Sequence, residues 1–208
     1  MDLDPMFQKI LLTGFALVLP IALYHRIKSQ STREKLDRRQ EGLFILATLR
    51  PVGIVLWVGV IVYAINPSRM AWSSVALPDW LRWGGVGVWA ASVALLLWTL
   101  RSLGPNLTDT VVTRQAHTLV TRGPYRWVRH PFYDSAFLLI LAISLMAANW
   151  FFFLMGCVFV TLIILRTRTE EDKLVARFGE DYRTYMTRTG RFLPYVARAL
   201  RSLPGTTP

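Results

Sequence analysis

Three short stretches of this chain carry side chains able to hold and align a small charged molecule. The first is His130-Pro131. Proline pushes its predecessor out of helical dihedrals and suits the first position of a helix, so Pro131 is expected to open a helix with His130 at its entrance. The exposed amides and positive dipole end there favour an anion, and the imidazole adds a donor beside them. A histidine that merely caps an interfacial helix is the plainer alternative. The second stretch surrounds it: Arg122, Gly123, Pro124, Tyr125, Arg126, Trp127, Val128 and Arg129 before, Phe132 and Tyr133 after. Trp and Tyr beside Arg at a membrane boundary ordinarily form an interfacial belt. Aromatic faces can also hold a cation, and a sulfonium would be one.

The third stretch is Arg166 with Glu170, Glu171 and Asp172. Arg166 and Glu170 are four apart, so on a helix both point to one face. An intrahelical ion pair explains that spacing. The rival is a divided site, in which Arg166 grips an anionic substrate and Glu170 a cationic ligand group. Glu171 and His117 come into question as bases only if the nucleophile must be deprotonated.

Composition says what kind of element must position these residues. The chain has 208 residues, 53% hydrophobic and 18% charged, with a positive mean hydropathy. A water-soluble domain of this size could hardly hide so much apolar surface, so a bilayer is the expected solvent. A membrane helix needs roughly 17 to 25 mostly apolar residues. Residues 7–24, 43–65 and 83–100 qualify, and the block 137–165 would overshoot as one straight helix. Split near Asn149, it becomes two rather short spans.

Lys and Arg collect in cytoplasmic loops, which tests the split. The segment after span one holds Arg26, Lys28, Arg33, Lys35, Arg38 and Arg39; the segment after span two holds only Arg69 and Arg82. Residues 101–129 and the tail 166–201 are basic again. Five spans place all three basic segments on one side, with the N-terminus outside and the C-terminus and chemistry on the cytoplasmic side. The net charge of +11 then reads as topology and attraction to anionic lipid, and nucleic acid is not an expected partner. The first apolar stretch lacks a basic flank and a small-residue cleavage site, so it reads as a retained helix. The lone Cys157 excludes an internal disulfide or a cysteine-based metal site, and no metal is expected. Arg50 beside Pro51, inside the second span, either snorkels to the headgroups or lines a cavity. The tail from Arg166 to Pro194 has helical character, with Gly179 as a helix end.

With no internal repeat, the fold class is all-α: an integral membrane bundle of about five transmembrane helices with a cytosolic C-terminal cap. Residues 1–100 are expected to supply helices one to three, residues 101–199 the catalytic region, and residues 200–208 a loose tail.

The run His117-Thr118-Leu119-Val120, then residues 123–133, Glu170-Glu171, Phe178-Gly179-Glu180-Asp181-Tyr182 and Pro194 resembles the isoprenylcysteine carboxyl methyltransferase family over about the last hundred residues. The resemblance implies a methyltransferase built from membrane helices, with S-adenosyl-L-methionine closed under a cytosolic cap and a lipophilic or lipid-linked acceptor entering from the bilayer. It places cofactor contacts on His117, Thr118, Leu119, Val120, Tyr125, His130, Pro131, Phe132, Tyr133 and Glu170, and substrate orientation on Arg166. Transfer to a carboxylate needs no base, only proximity, alignment and a dry site. A carboxylate acceptor is favoured over a thiol, and no obligate protein partner is evident. Asp134-Ser135 departs from the small residue or glycine that many relatives place after the tyrosine: Asp134 either favours the helix N-terminus or alters the substrate class. Two other readings stand beside this one. One is an NADPH-dependent reductase acting on a sterol or isoprenoid, with the Arg122 to Arg129 loop on the phosphates; the other is a non-catalytic membrane adaptor keeping the fold.

Overall fold

Many large apolar side chains face outward in this protein, while several small polar ones face inward. Ile54, Trp57, Ile61, Phe153 and Leu154 are exposed, whereas Ser92, Thr99, Ser135 and Ser144 are buried. That arrangement suits helices whose solvent is lipid, where association rests on close packing and interhelical hydrogen bonds. The computed structural model describes residues 4–30, 45–104 and 118–195. His117, most of the first basic segment and residues 200–208, expected as a tail, lie outside the described residues.

Among the described residues six α-helices follow in order: α1 Asp4–Gln30, α2 Arg50–Ile65, α3 Asp79–Leu103, α4 Pro131–Met146, α5 Trp150–Phe178 and α6 Glu180–Arg188. Among the described residues there are no named strands, and two isolated bridges join Ser74 to Asn149 and Val128 to Gly190. Among the described residues four helices can cross a membrane by length and composition, namely Pro5–His25, Ala47–Ile65, Asp79–Leu103 and Trp150–Phe178, with Pro131–Met146 as a shorter apolar fifth.

The block 137–165 is divided at Asn149, as its length requires. Ala148 turns the chain with a φ of 46°. Asn149 then caps α5, its side chain accepting from the Phe151 amide at 3.0 Å and donating to Ser73 Oγ at 2.8 Å. The two resulting helices are not both short. At about 1.5 Å per residue α4 is roughly 24 Å long, but α5 continues through its charged part to about 43 Å, well beyond the hydrocarbon. It ends at Gly179, whose φ of 56° is cheap only for glycine.

Two arginines are placed differently from expectation. Arg82, read as part of the loop after span two, sits in α3 and is buried. It donates to the Met146 carbonyl through Nε at 3.2 Å and Nη2 at 2.9 Å, and its guanidinium lies over the Phe7 ring, 4.3 Å from the centroid. The last turn of α4 leaves that carbonyl without a helical partner, and the arginine fills the gap. Arg50 opens α2 after a π-helical turn, Ile45–Leu49, and is exposed. It therefore lies near the end of the span rather than two turns deep.

The main core joins Phe7 and Leu11 of α1, Leu56 and Tyr63 of α2, Ala142, Ile143 and Met146 of α4, and Phe152 of α5. It fills the bundle toward the Asn149 end. α3 runs along α4, fastened where Ser92 Oγ donates to the Ser135 carbonyl at 2.8 Å. This rigid end leaves the opposite end, where α4 begins and α5 emerges, to carry the polar residues.

Candidate functional site

Pro131 does open α4, with His130 in the cap position and its side chain making no capping bond. The imidazole instead turns toward α5, its Nε2 lying 3.2 Å from Glu171 Oε1, and stacks on Tyr133 with 5.6 Å between centroids and 13° between planes. Tyr133, one turn into α4, donates its hydroxyl to Glu170 Oε2 at 2.9 Å. The starts of α4 and the exit of α5 thus meet through adjacent pairs: His130 with Glu171, Tyr133 with Glu170.

Arg166 and Glu170 share a face of α5, yet among the described residues no ion pair joins them; Glu170 is taken by Tyr133. Both act electrostatically on the Tyr133 phenol. The Arg166 Nε is buried with no hydrogen-bond partner among the described residues. Burying such a donor unpaired is costly, so it is a group suited to an incoming anion. Tyr125, from the short turn Gly123–Arg126, completes the group. Its carbonyl accepts from the Tyr185 hydroxyl at 2.6 Å. Burial, then the nearby Tyr185 and Glu170, push its own phenol above the usual range, so it stays protonated.

The remaining predicted residues are spread around this centre. Pro131 is fully buried, and Phe132 is exposed at 41%. Thr118, Leu119 and Val120 lead into the turn without regular structure, Thr118 exposed and the other two half-buried. Asp134 lies half-buried in the first turn of α4. Among the described residues no three His, Cys, Asp or Glu side chains gather as a metal site.

Two arginines and a histidine surround Glu171. Arg129 donates to it through Nε at 2.8 Å, Arg191 reaches its other oxygen, and His130 completes the set. These donors stabilise the carboxylate form, which makes Glu171 a poor proton acceptor. Sequence reasoning placed Arg129 in the basic loop before His130 and Arg191 in the basic tail, and paired neither with Glu171. It also missed Phe192, whose ring lies 5.8 Å from His130 and 5.5 Å from Phe137. Gly190 was the available signal: a Cβ there would come within 1.7 Å of the Leu193 carbonyl oxygen, which marks a tight turn beside Arg191.

A family model described as the isoprenylcysteine carboxyl methyltransferase family matches residues 85–176. The matched stretch includes α4, the emerging half of α5, and every pairing just described between them. Over this region the chain is similar to the isoprenylcysteine carboxyl methyltransferase family. A protein-S-isoprenylcysteine O-methyltransferase of Rattus norvegicus is 30% identical over 135 residues, which are 62% of this chain and 46% of that protein. A cobalt-zinc-cadmium resistance protein, CzcN, of Cupriavidus metallidurans is 28% identical over 161 residues, 64% of this chain and 74% of that protein. The chain therefore spans about half the length of the mammalian relative. The solved structure of the eukaryotic intramembrane Ras methyltransferase, without a monobody, superposes with a TM-score of 0.52 at 19% identity, covering 85% of this chain and 64% of that one. That likeness carries the fold alone, and with the long apolar helices it makes this chain a multi-pass integral membrane protein.

Proposed function

We propose that the protein is a methyltransferase that uses S-adenosyl-L-methionine to methylate a lipophilic or lipid-linked acceptor, with a carboxylate as the methylated group. The observation that carries this reading is the Tyr133–Glu170 bond at 2.9 Å beside a buried Arg166 Nε that lacks a partner. One acceptor of cations and one donor to anions thus lie at the same end of the bundle.

The residues present fit such a cofactor. When bound, S-adenosyl-L-methionine supplies a methyl group made electrophilic by a sulfonium. Glu170 would hold its ammonium, and the start of α4 with His130 its carboxylate. The rings of Tyr125 and Tyr133 are suited to a cation or an adenine. Thr118, Leu119, Val120, Pro131 and Phe132 would form the walls, with His117 beyond the described residues. Arg166 would grip the acceptor carboxylate through one oxygen and leave the other free to attack. A carboxylate nucleophile is already ionised, so the residues need to align it and exclude water, and neither Glu171 nor His117 is required as a base.

The site would lie on the cytoplasmic side with the N-terminus outside, because the basic segments then all face inward. Binding of S-adenosylhomocysteine to the purified protein, measured by calorimetry, tests the reading. Micromolar binding, followed by transfer of a labelled methyl group to a prenylated cysteine analogue, supports it. Clear NADPH binding without S-adenosylhomocysteine binding would replace it with a reductase, and binding of neither with an adaptor.

A further inference from the structure

Glu170 and Glu171 are neighbours in sequence, but a helix turns about 100° per residue, so they serve different partners. Glu170 faces Tyr133. Glu171 is 3% exposed and lies between two separate pieces of chain. Its Oε1 accepts from Arg129 Nε at 2.8 Å and faces His130 Nε2 at 3.2 Å, both on the loop that enters α4. Its Oε2 accepts from Arg191, on the strap of residues 189–193 that follows α6. Arg129 also donates to the carbonyls of Thr189 and, at 3.3 Å, Met186, which ties the same loop to the end of α6.

Loop and strap pair through their backbones as well. The Gly190 amide donates to the Trp127 carbonyl at 3.2 Å, the Arg129 amide to Gly190 at 2.9 Å, and the His130 amide to Arg191 at 3.2 Å. A pairing this short does not hold by itself. A buried carboxylate with one oxygen on each partner supplies what it lacks, and Phe192 is thereby set against His130 and Phe137.

We propose that Glu171 is a positioning residue: its carboxylate latches the strap of residues 189–193 onto the His130 loop and so holds His130 and the start of α4 in the geometry of the binding site. The consequence for the methyl donor rests on the function proposed above, whereas the latch itself does not. Glu170 touches the ligand and Glu171 the frame around it.

The test uses the full chain in detergent or nanodiscs, with Glu171→Gln as the main variant and Arg191→Ala as the second. Arg191 is one-third exposed and tolerates replacement should the buried change prevent folding. Hydrogen exchange of the Arg129, His130 and Gly190 amides, read without ligand, is expected to quicken at least tenfold in either variant while amides in the middle of α4 keep their protection. Affinity for S-adenosylhomocysteine is expected to fall about tenfold, with KM for the donor rising more than kcat falls, and Arg191→Lys is expected to recover most of both. Unchanged exchange overturns the latch, whether or not affinity drops, because a drop alone would put Glu171 on the ligand. Faster exchange in a protein whose wild type binds no S-adenosylhomocysteine keeps the latch and removes the donor reading instead.

Discussion

Glu170 and Arg166 share one face of α5 without pairing, and this separation gives them opposite expected phenotypes. A hydrogen bond to a charged group is worth about 1.5 to 3 kcal/mol, or roughly ten- to a hundredfold in affinity. Glu170→Ala is therefore expected to weaken S-adenosylhomocysteine binding by about that factor in calorimetry, with the melting temperature little changed. Unaltered affinity would remove Glu170 from the donor site. Arg166→Ala is expected to leave that affinity within about twofold and to lower turnover strongly, since an interaction made with the acceptor affects the transfer step. Normal turnover in the variant would count against acceptor binding by Arg166.

At the scale of elements, the α4–α5 hairpin connects the apolar core of the bundle to the end that carries the candidate site. Asn149 caps α5, donates to Ser73 and reaches the Met70 carbonyl at 3.3 Å, while Ala148 bears the left-handed turn. Loss of an N-cap costs about 1 kcal/mol, and stranded buried partners add a similar amount. Asn149→Ala is thus expected to lower the melting temperature by roughly 5 °C in a thermal-shift assay. Because it lies at the end of α4 opposite His130, donor affinity should be unaffected in the protein that remains folded. A large fall in affinity at constant stability would mean that the two ends are coupled.

For the whole molecule, the basic segments determine which way the bundle sits. The positive-inside bias predicts an external N-terminus and an internal C-terminus. A reporter active only in the periplasm or lumen, fused at the N-terminus, should give signal, and the same reporter fused after residue 195 should be silent. The reverse pattern would place the site on the outer side. This expectation requires α4 to cross as well, since removing it as a span would strand the charged exit of α5 on the far side from the first basic segment.

Much of this was legible in the chain itself. Apolar run length, the charge asymmetry of the loops and the Pro131 signal determined a helical membrane bundle with the division at Asn149, because each is a local response to the bilayer or to backbone sterics. The order of motifs from Tyr125 to Glu170 likewise marked the resemblance to the family. Tertiary structure alone decided which charges meet. Arg82 and Met146, Arg129 and Glu171, and Glu171 and Arg191 are separated by 64, 42 and 20 residues, and no helical periodicity relates them. A surface-type arginine and a buried one read alike in sequence. Only the crossing of α4 by α5, with the strap folded back over both, buries Glu171 and turns a charged tail into part of a site.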